Sequence, residues 1–270
     1  MLYALKDAAF FPEIVDKFEK EENFNLSIIR DNKSERLIRE AKYILYDYNL
    51  SNLYSFKYSF KPLYSADNIE VDFNFNNIYE VPNRIYALIG KNGTGKTQLI
   101  TSLPNNISEK KEILFSPKIP LFSKIIAVSY SIFDKINFPE RTSSFNYVFC
   151  GLWNEEHKIM TDEESALKFY NSCSKIEKME RIEKWHDILL TFLDVELVEL
   201  IITKKTDSQT KNNSFVFNND GFNDIKSRLS SGQASILYII TEIVANIRFD
   251  SLLLFDEPET HLHPNAITQL

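Results

Sequence analysis

Residues Leu88 to Thr97, Leu-Ile-Gly-Lys-Asn-Gly-Thr-Gly-Lys-Thr, constrain this chain more than any other stretch. The apolar run Ile85-Tyr-Ala-Leu-Ile89 reads as the end of a buried strand, and it enters G-x-x-x-x-G-K-T followed by a helical pattern. Such a loop suits a polyphosphate, whose charges must be held by backbone N–H groups at the positive end of a helix, with no bulky side chain in the way. Gly90, Asn92, Gly93, Thr94, Gly95, Lys96, Thr97 and Gln98 are the expected ATP-binding residues. Lys96 would reach the β- and γ-phosphates, and the Thr97 hydroxyl would sit on Mg²⁺. The bland alternative is a glycine-rich turn. Against it stand the strand before the motif, the helix after it, and the scarcity of glycine: three of the chain's six lie in this loop.

At 270 residues the chain is long enough for one large α/β domain or two small ones. A net charge of −7 argues against a uniformly basic nucleic-acid binder, though it says nothing about local patches. Basic pairs such as Lys110-Lys111 and Lys204-Lys205 read as solvated loops, with nucleic-acid contact as the alternative. Cys150 and Cys173 lack metal-ligand spacing, so a reducing, cytoplasmic compartment is expected without zinc or disulfide. Charge interrupts the N-terminus before a signal core can form, and no apolar run approaches the ~20 residues of a membrane span.

Residues Ser34 to Tyr46 predict a helix with Leu37, Ile38, Ala41, Ile44 and Leu45 on a packed face. Tyr54 to Phe60 and Ile69 to Phe75 alternate apolar and polar residues, as half-buried antiparallel strands do. The aromatics of these strands read as a core-facing sheet rather than a base-stacking platform. After the phosphate-loop helix, Pro104 to Pro120 reads as a polar stretch, and Lys124 to Ser129 as a strand buried in a central sheet. Ser129, Ser131 and Asp134 follow its C-terminal end, where open α/β sheets bind ligands. Asn154 to Leu200 turns helical, with capping boxes expected at Thr161–Glu164 and Ser174–Glu177. Lys204 to Asn213 reads as an exposed loop.

Two further segments bear on chemistry. Leu229-Ser-Ser-Gly-Gln233 opens a helix in which Ile236, Ile239, Ile240, Ile243 and Ile247 repeat at helical spacing, an anion site that is weak when taken alone. Ser251-Leu-Leu-Leu-Phe-Asp-Glu257 is an apolar strand ending in two carboxylates, a costly arrangement unless the carboxylates have ligands to serve. With a phosphate loop upstream, Asp256 is placed to hold Mg²⁺ through water, and Glu257 to polarise the attacking water. The catalytic candidates are therefore Glu257 and Lys96, and the metal candidates Thr97 and Asp256.

In that order, Gly90–Thr97, Leu229–Gln233 and Leu252–Pro258 resemble the Walker A, signature and Walker B motifs of ABC-type ATPases. The resemblance implies an α/β P-loop fold with a mixed central sheet, an antiparallel β part and a helical subdomain. It implies a nucleotide-binding core at about 54–134 and 226–270, with a helical insertion at about 135–225. It also implies that heads pair head to tail as a homodimer, so that Ser230, Ser231, Gly232 and Gln233 of one chain close over the ATP of the other. The tail Asp256-Glu-Pro-Glu-Thr-His-Leu-His-Pro264 is similar to the SMC-like and OLD-like branch, including anti-phage ATPases of the Septu and retron-associated group. That likeness implies a nucleotide-gated switch controlling a nuclease partner. His261 and His263 are then expected at the interface between heads rather than on a metal.

Two departures stand out. The Gln expected after the strand Ile125–Val128 is replaced by Ser129, Ser131 or Asp134, and only 13 residues follow Glu257, short of the usual switch His. The second departure suggests the N-terminal part of a longer protein. Competing readings are a DNA-repair or chromosome-maintenance ATPase, disfavoured by the lack of heptad arms, a transporter's nucleotide-binding subunit, and a scaffold that binds ATP without using it.

Overall fold

The computed structural model describes residues 6–9, 11, 14, 18, 21–28, 32–46, 54–63, 65–75, 85–91, 93–122, 124–130, 138–139, 146–154, 156–206, 213–218, 221, 225, 228–248 and 251–258. Its elements are α1 (Glu22–Ser27), α2 (Asn32–Leu45), β1 (Phe56–Phe60), β2 (Ile69–Phe73), α3 (Lys96–Ser108), β3 (Phe115–Ser116), β4 (Lys124–Ser129), β5 (Tyr147–Gly151), α4 (Asp162–Lys178), α5 (Ile182–Leu190), α6 (Val195–Ile201), β6 (Ile202–Thr206), β7 (Asn213–Phe217), α7 (Ser231–Asn246) and β8 (Ser251–Phe255). This is a mixed α/β chain. It divides into two compact units, one of residues 1–127, 134–148 and 248–254, the other of 128–133, 149–247 and 255–270. Strands β5, β4 and β8 are neighbours in that order.

In the first unit the expected antiparallel strands form. β1 pairs with β2 in the register Phe56–Phe73 to Phe60–Ile69, and its other edge takes the short β3. Alternation puts Phe56, Tyr58 and Phe60 on one buried face, where Phe73, Phe115, Leu99 and Leu103 complete an aromatic-rich core. The Tyr58 ring lies 5.1 Å from Phe115 and 5.8 Å from Phe60. Its hydroxyl accepts from Asn106 Nδ2 at 2.6 Å and shares a 2.9 Å hydrogen bond with Ser102, both on α3. The helix that follows the phosphate loop is thus fastened to the β1 sheet by a buried phenol as well as by apolar contact.

The second unit is built round Trp185, which is fully buried among Ile176, Leu189, Val198, Ile201 and the apolar face of α7. The indole N–H donates to Thr241 Oγ1 at 2.9 Å, and that hydroxyl donates to Leu237 O at 2.6 Å. A polar atom that the core would otherwise strand is therefore paired along α7. Arg181, at the turn into α5, donates to Val244 O and Ile247 O at 2.9 and 2.8 Å and so closes the C-terminal end of α7. α4 begins in a capping box, Glu164 N donating to Thr161 Oγ1 and Thr161 N to the Glu164 carboxylate.

Several sequence expectations require correction. Ile85–Ile89 is not a buried strand: it has no ladder partner among the described residues, and Ile85 and Ile89 are 86% and 95% exposed. Tyr86 is instead tied to the end of β2, its hydroxyl accepting from Asn74 N and donating to Asn74 O. The apolar face expected on α2 leaves Leu37, Ile44 and Leu45 exposed, while Glu40 is buried and accepts from Tyr54 OH. Ser174 caps nothing, because the box at Thr161 starts a helix that runs unbroken through it to Lys178. The polar stretch from Pro104 begins inside α3, which carries that proline to Ser108. Part of the loop expected at 204–213 is strand: β6 and β7 pair antiparallel from Ile202–Phe217 to Thr206–Asn213.

Candidate functional site

The phosphate loop lies in the first unit, and its backbone has the shape the glycines were expected to permit. Gly93 and Gly95 hold φ of +83° and +94°, and Gly95 is the left-handed N-cap of α3. A Cβ at Gly93 would meet nothing within 4 Å, so that glycine is required by its dihedral alone. At Gly95 a Cβ would also press on Pro62 at 3.2 Å, and at Gly90 it would meet Thr94 Oγ1 at 2.9 Å. Lys96 Nζ turns back over the loop and donates to Gly90 O at 2.8 Å and Lys91 O at 3.2 Å. The loop is tied across its mouth by Thr94, whose N and Oγ1 both donate to Lys91 O. Thr97 opens the helix beside Lys96, and Gln98 faces away to a neighbouring turn, its Oε1 accepting from Leu63 N at 3.0 Å. Asn92 lies outside the described residues. Narrow glycines, an ammonium folded over their carbonyls and a helix N-terminus beneath them fit a bound polyphosphate.

Ser230–Gln233, Asp256 and Glu257 lie in the second unit. Ser230 is the N-cap of α7: its Oγ accepts from Gln233 N at 3.3 Å, and Gln233 Oε1 accepts from Ser230 N at 2.9 Å. The signature-like serine and glutamine are therefore a reciprocal capping box, with Ser230 and Ser231 exposed at the positive end of the helix dipole and Gly232 half-buried. β8 delivers Asp256 to a buried position, where its N–H donates to Val128 O at 2.9 Å. Glu257 is exposed with φ of +45°, a left-handed conformation that costs a non-glycine residue roughly 1–2 kcal/mol. Lys6, Lys110, His157 and Glu180 share this left-handed backbone, so the φ by itself assigns Glu257 no role. Ser129 is buried at the end of β4, whereas Ser131, Asp134, His261 and His263 fall outside the described residues.

Sequence reasoning missed one constellation. Glu242 is 2% exposed on α7 and pairs with Lys168 of α4 at 3.0 Å. Lys168 Nζ also donates to Phe149 O. Burial pushes the Glu242 carboxyl above its ordinary range, against the opposing pull of the Lys168 charge. The signal was present: Glu242 is the only charged residue between Ser231 and Asn246 in a helix otherwise dominated by isoleucine.

Among known proteins, residues 164–270 match a family model described as "AAA domain, putative AbiEii toxin, Type IV TA system". The matched span contains Ser230–Gln233, Asp256 and Glu257 and begins downstream of the phosphate loop. The chain is also similar to "Protein ea59" of Escherichia phage lambda, at 26% identity over 304 aligned residues. That alignment takes in 99% of this chain and 57% of the phage protein, so the chain spans little more than half the length of that relative. No solved structure matches. Among the described residues no helix is long and apolar enough to cross a membrane.

Proposed function

We propose that this chain is the ATP-binding head of an ABC-like ATPase that works as a nucleotide-gated switch in anti-phage defence, controlling a nuclease partner. The observation that carries the nucleotide reading is the phosphate loop itself: left-handed Gly93 and Gly95 leading into α3, with Lys96 drawn over the loop carbonyls. The likeness of residues 164–270 to an AAA-domain family supports the same reading from the other end of the chain. Bound Mg·ATP supplies a cleavable γ-phosphate. Lys96 and the loop N–H groups would bind and orient it, Thr97 and Asp256 would hold Mg²⁺, and Glu257 would accept a proton from the attacking water. Ser230, Ser231, Gly232 and Gln233 would approach from a second head in a head-to-tail homodimer, their helix dipole facing the phosphate.

Lys96→Ala and Glu257→Gln separate binding from hydrolysis. Lys96→Ala should abolish ATP binding, whereas Glu257→Gln should bind ATP as the parent does, hydrolyse it slowly and hold the ATP-closed dimer. Equilibrium binding of a fluorescent ATP analogue and phosphate-release rates distinguish the two. Equal loss of binding in both variants would remove Glu257 from its catalytic role. Defence itself is tested by plaque counts on cells that express the intact protein with its proposed nuclease partner, where Lys96→Ala should abolish protection.

A further inference from the structure

A cavity of about 320 Å³ opens within the second unit, between α4 and the middle of α7. That volume sits in the range of small-molecule sites. Its walls are mostly apolar, with Leu152, Met160 and the rings of Tyr130 and Tyr238 prominent among them. Its charged groups are two carboxylates, Asp162 and Glu242, against one ammonium, Lys168.

The balance within that set is incomplete. One oxygen of Glu242, Oε1, takes the Lys168 ammonium at 3.0 Å, while the other, Oε2, is buried with no hydrogen-bond partner among the described residues. A buried carboxylate oxygen left without a donor costs about 1–3 kcal/mol or more, so such atoms are rare unless something is meant to meet them. Glu242 forms part of the cavity wall, and the last torsion of a glutamate is soft, so a donor seated in the cavity reaches Oε2 with little rearrangement. Lys175 also acts on Glu242 from outside the lining, so the preference for a cation rests on the acceptor at Oε2 and not on a net charge. Aromatic faces at Tyr130 and Tyr238 favour a cation carried on an apolar body. The Lys168 ammonium spends two of its three N–H groups on Oε1 and Phe149 O, and the Cys150 thiol, the other side-chain donor at this carboxylate, is a weak one.

We propose that this cavity is a binding site for a small organic monocation, an amidinium, guanidinium or ammonium on a short apolar stem, whose N–H groups satisfy Glu242 Oε2. All of its lining residues belong to the second unit, whereas the phosphate loop belongs to the first.

The test is calorimetric titration of the intact protein with benzamidine, cationic at neutral pH, and with benzamide, its neutral isostere. Benzamidine should bind saturably with one site per chain and at least about ten-fold more tightly than benzamide, the ratio expected for a charge-assisted hydrogen bond over a neutral one. Glu242→Gln should erase that preference. Ser235→Phe, which fills the cavity from α7 without touching the carboxylate, should abolish binding of both ligands. Equal affinities for benzamidine and benzamide in the parent protein overturn the proposal, as does benzamidine binding that survives both substitutions. No saturable binding below about 10 mM means that water alone satisfies Oε2 and also overturns it. If Glu242→Gln fails to fold, the ligand pair on the parent protein and on Ser235→Phe still decides.

Discussion

Ser230 is both the N-cap of α7 and the residue expected to face a partner's nucleotide, and substitutions can pull these roles apart because they rank differently under each. In the structure the Ser230 side chain is committed to its own helix, accepting from Gln233 N, while Gln233 returns the bond to Ser230 N. Ser230→Ala removes the acceptor and should cost about 1 kcal/mol, a shift of about 2–4 °C in Tm for a chain of this size. Ser230→Asp keeps a good cap and places a negative charge at the positive end of the helix dipole, so stability should equal or exceed that of the parent by about 0.3–1 kcal/mol. A carboxylate about 4 Å from a γ-phosphate is repelled by about 4 kcal/mol at the effective dielectric of a protein surface, close to a thousand-fold in affinity. If Ser230 meets nucleotide in trans, ATP-dependent dimerisation should rank parent above Ser230→Ala and both far above Ser230→Asp, the reverse of the two variants' thermal order. The assays are differential scanning calorimetry and light scattering with ATP in the Glu257→Gln background. Dimerisation that follows stability, with Ser230→Asp assembling at least as well as the parent, would refute the trans role and leave only a cap.

Further outcomes follow from the loop and from the buried carboxylate. Gly95→Ala must hold φ near +94° and press on Pro62, whereas Gly93→Ala has open space and pays only for its dihedral, roughly 1–2 kcal/mol. Both should weaken ATP-analogue binding, and Gly95→Ala should lower Tm more; unchanged affinity in both would mean that the loop does not hold phosphate in this conformation. Glu242 faces Lys168, Lys175, Cys150, Tyr130 and Tyr238, and burial raises its pKa above the ordinary 4.5. The folded state then holds this proton more tightly than the unfolded chain, so the group's contribution to stability is fully present below 4.5 and is lost as pH rises through the folded value. Tm measured from mildly acidic to neutral pH should fall less steeply in Glu242→Gln than in the parent, and identical slopes would contradict a raised carboxyl.

Much of the architecture was legible because its signals are local. Alternating aromatics fixed β1 and β2, and the β-branched run Lys124–Ser129 became the fully buried β4. Thr161–Glu164 and Ser230–Gln233 closed as capping boxes, the latter at a position where the serine was expected to serve a ligand. What was not legible depends on partners far off in sequence. Ile85–Ile89 has the composition of a buried strand, but composition cannot supply a neighbouring ladder. α2 has a periodic apolar face, yet its described contacts include the Glu40 carboxylate on Tyr54 OH and the Tyr43 ring under Lys118 Nζ. Ser174–Glu177 matches a box in spelling, and the helix begun at Thr161 overrides it because continuing a helix adds a backbone bond with each residue. Glu242 was overlooked for the opposite reason: a single charge in an apolar helix matches no motif, and its meaning depends on Lys168, 74 positions earlier.

The two halves of the proposed nucleotide site rest on independent observations, and that independence strengthens the reading. Gly90–Thr97 lies outside the span that matches the AAA-domain family, so the phosphate loop stands on its spacing and on the left-handed glycines and folded-back lysine of the structure. Ser230–Gln233, Asp256 and Glu257 lie inside that span, and they stand on a capped helix N-terminus and on an apolar strand that ends in a buried and a strained carboxylate. A glycine turn without ligand explains the first half and a well-capped structural helix explains part of the second, but neither explains a buried aspartate at the end of an apolar strand. Under the function proposed above, each half would have its own role: the loop would hold the phosphates, and the carboxylates would balance the cation and position the water.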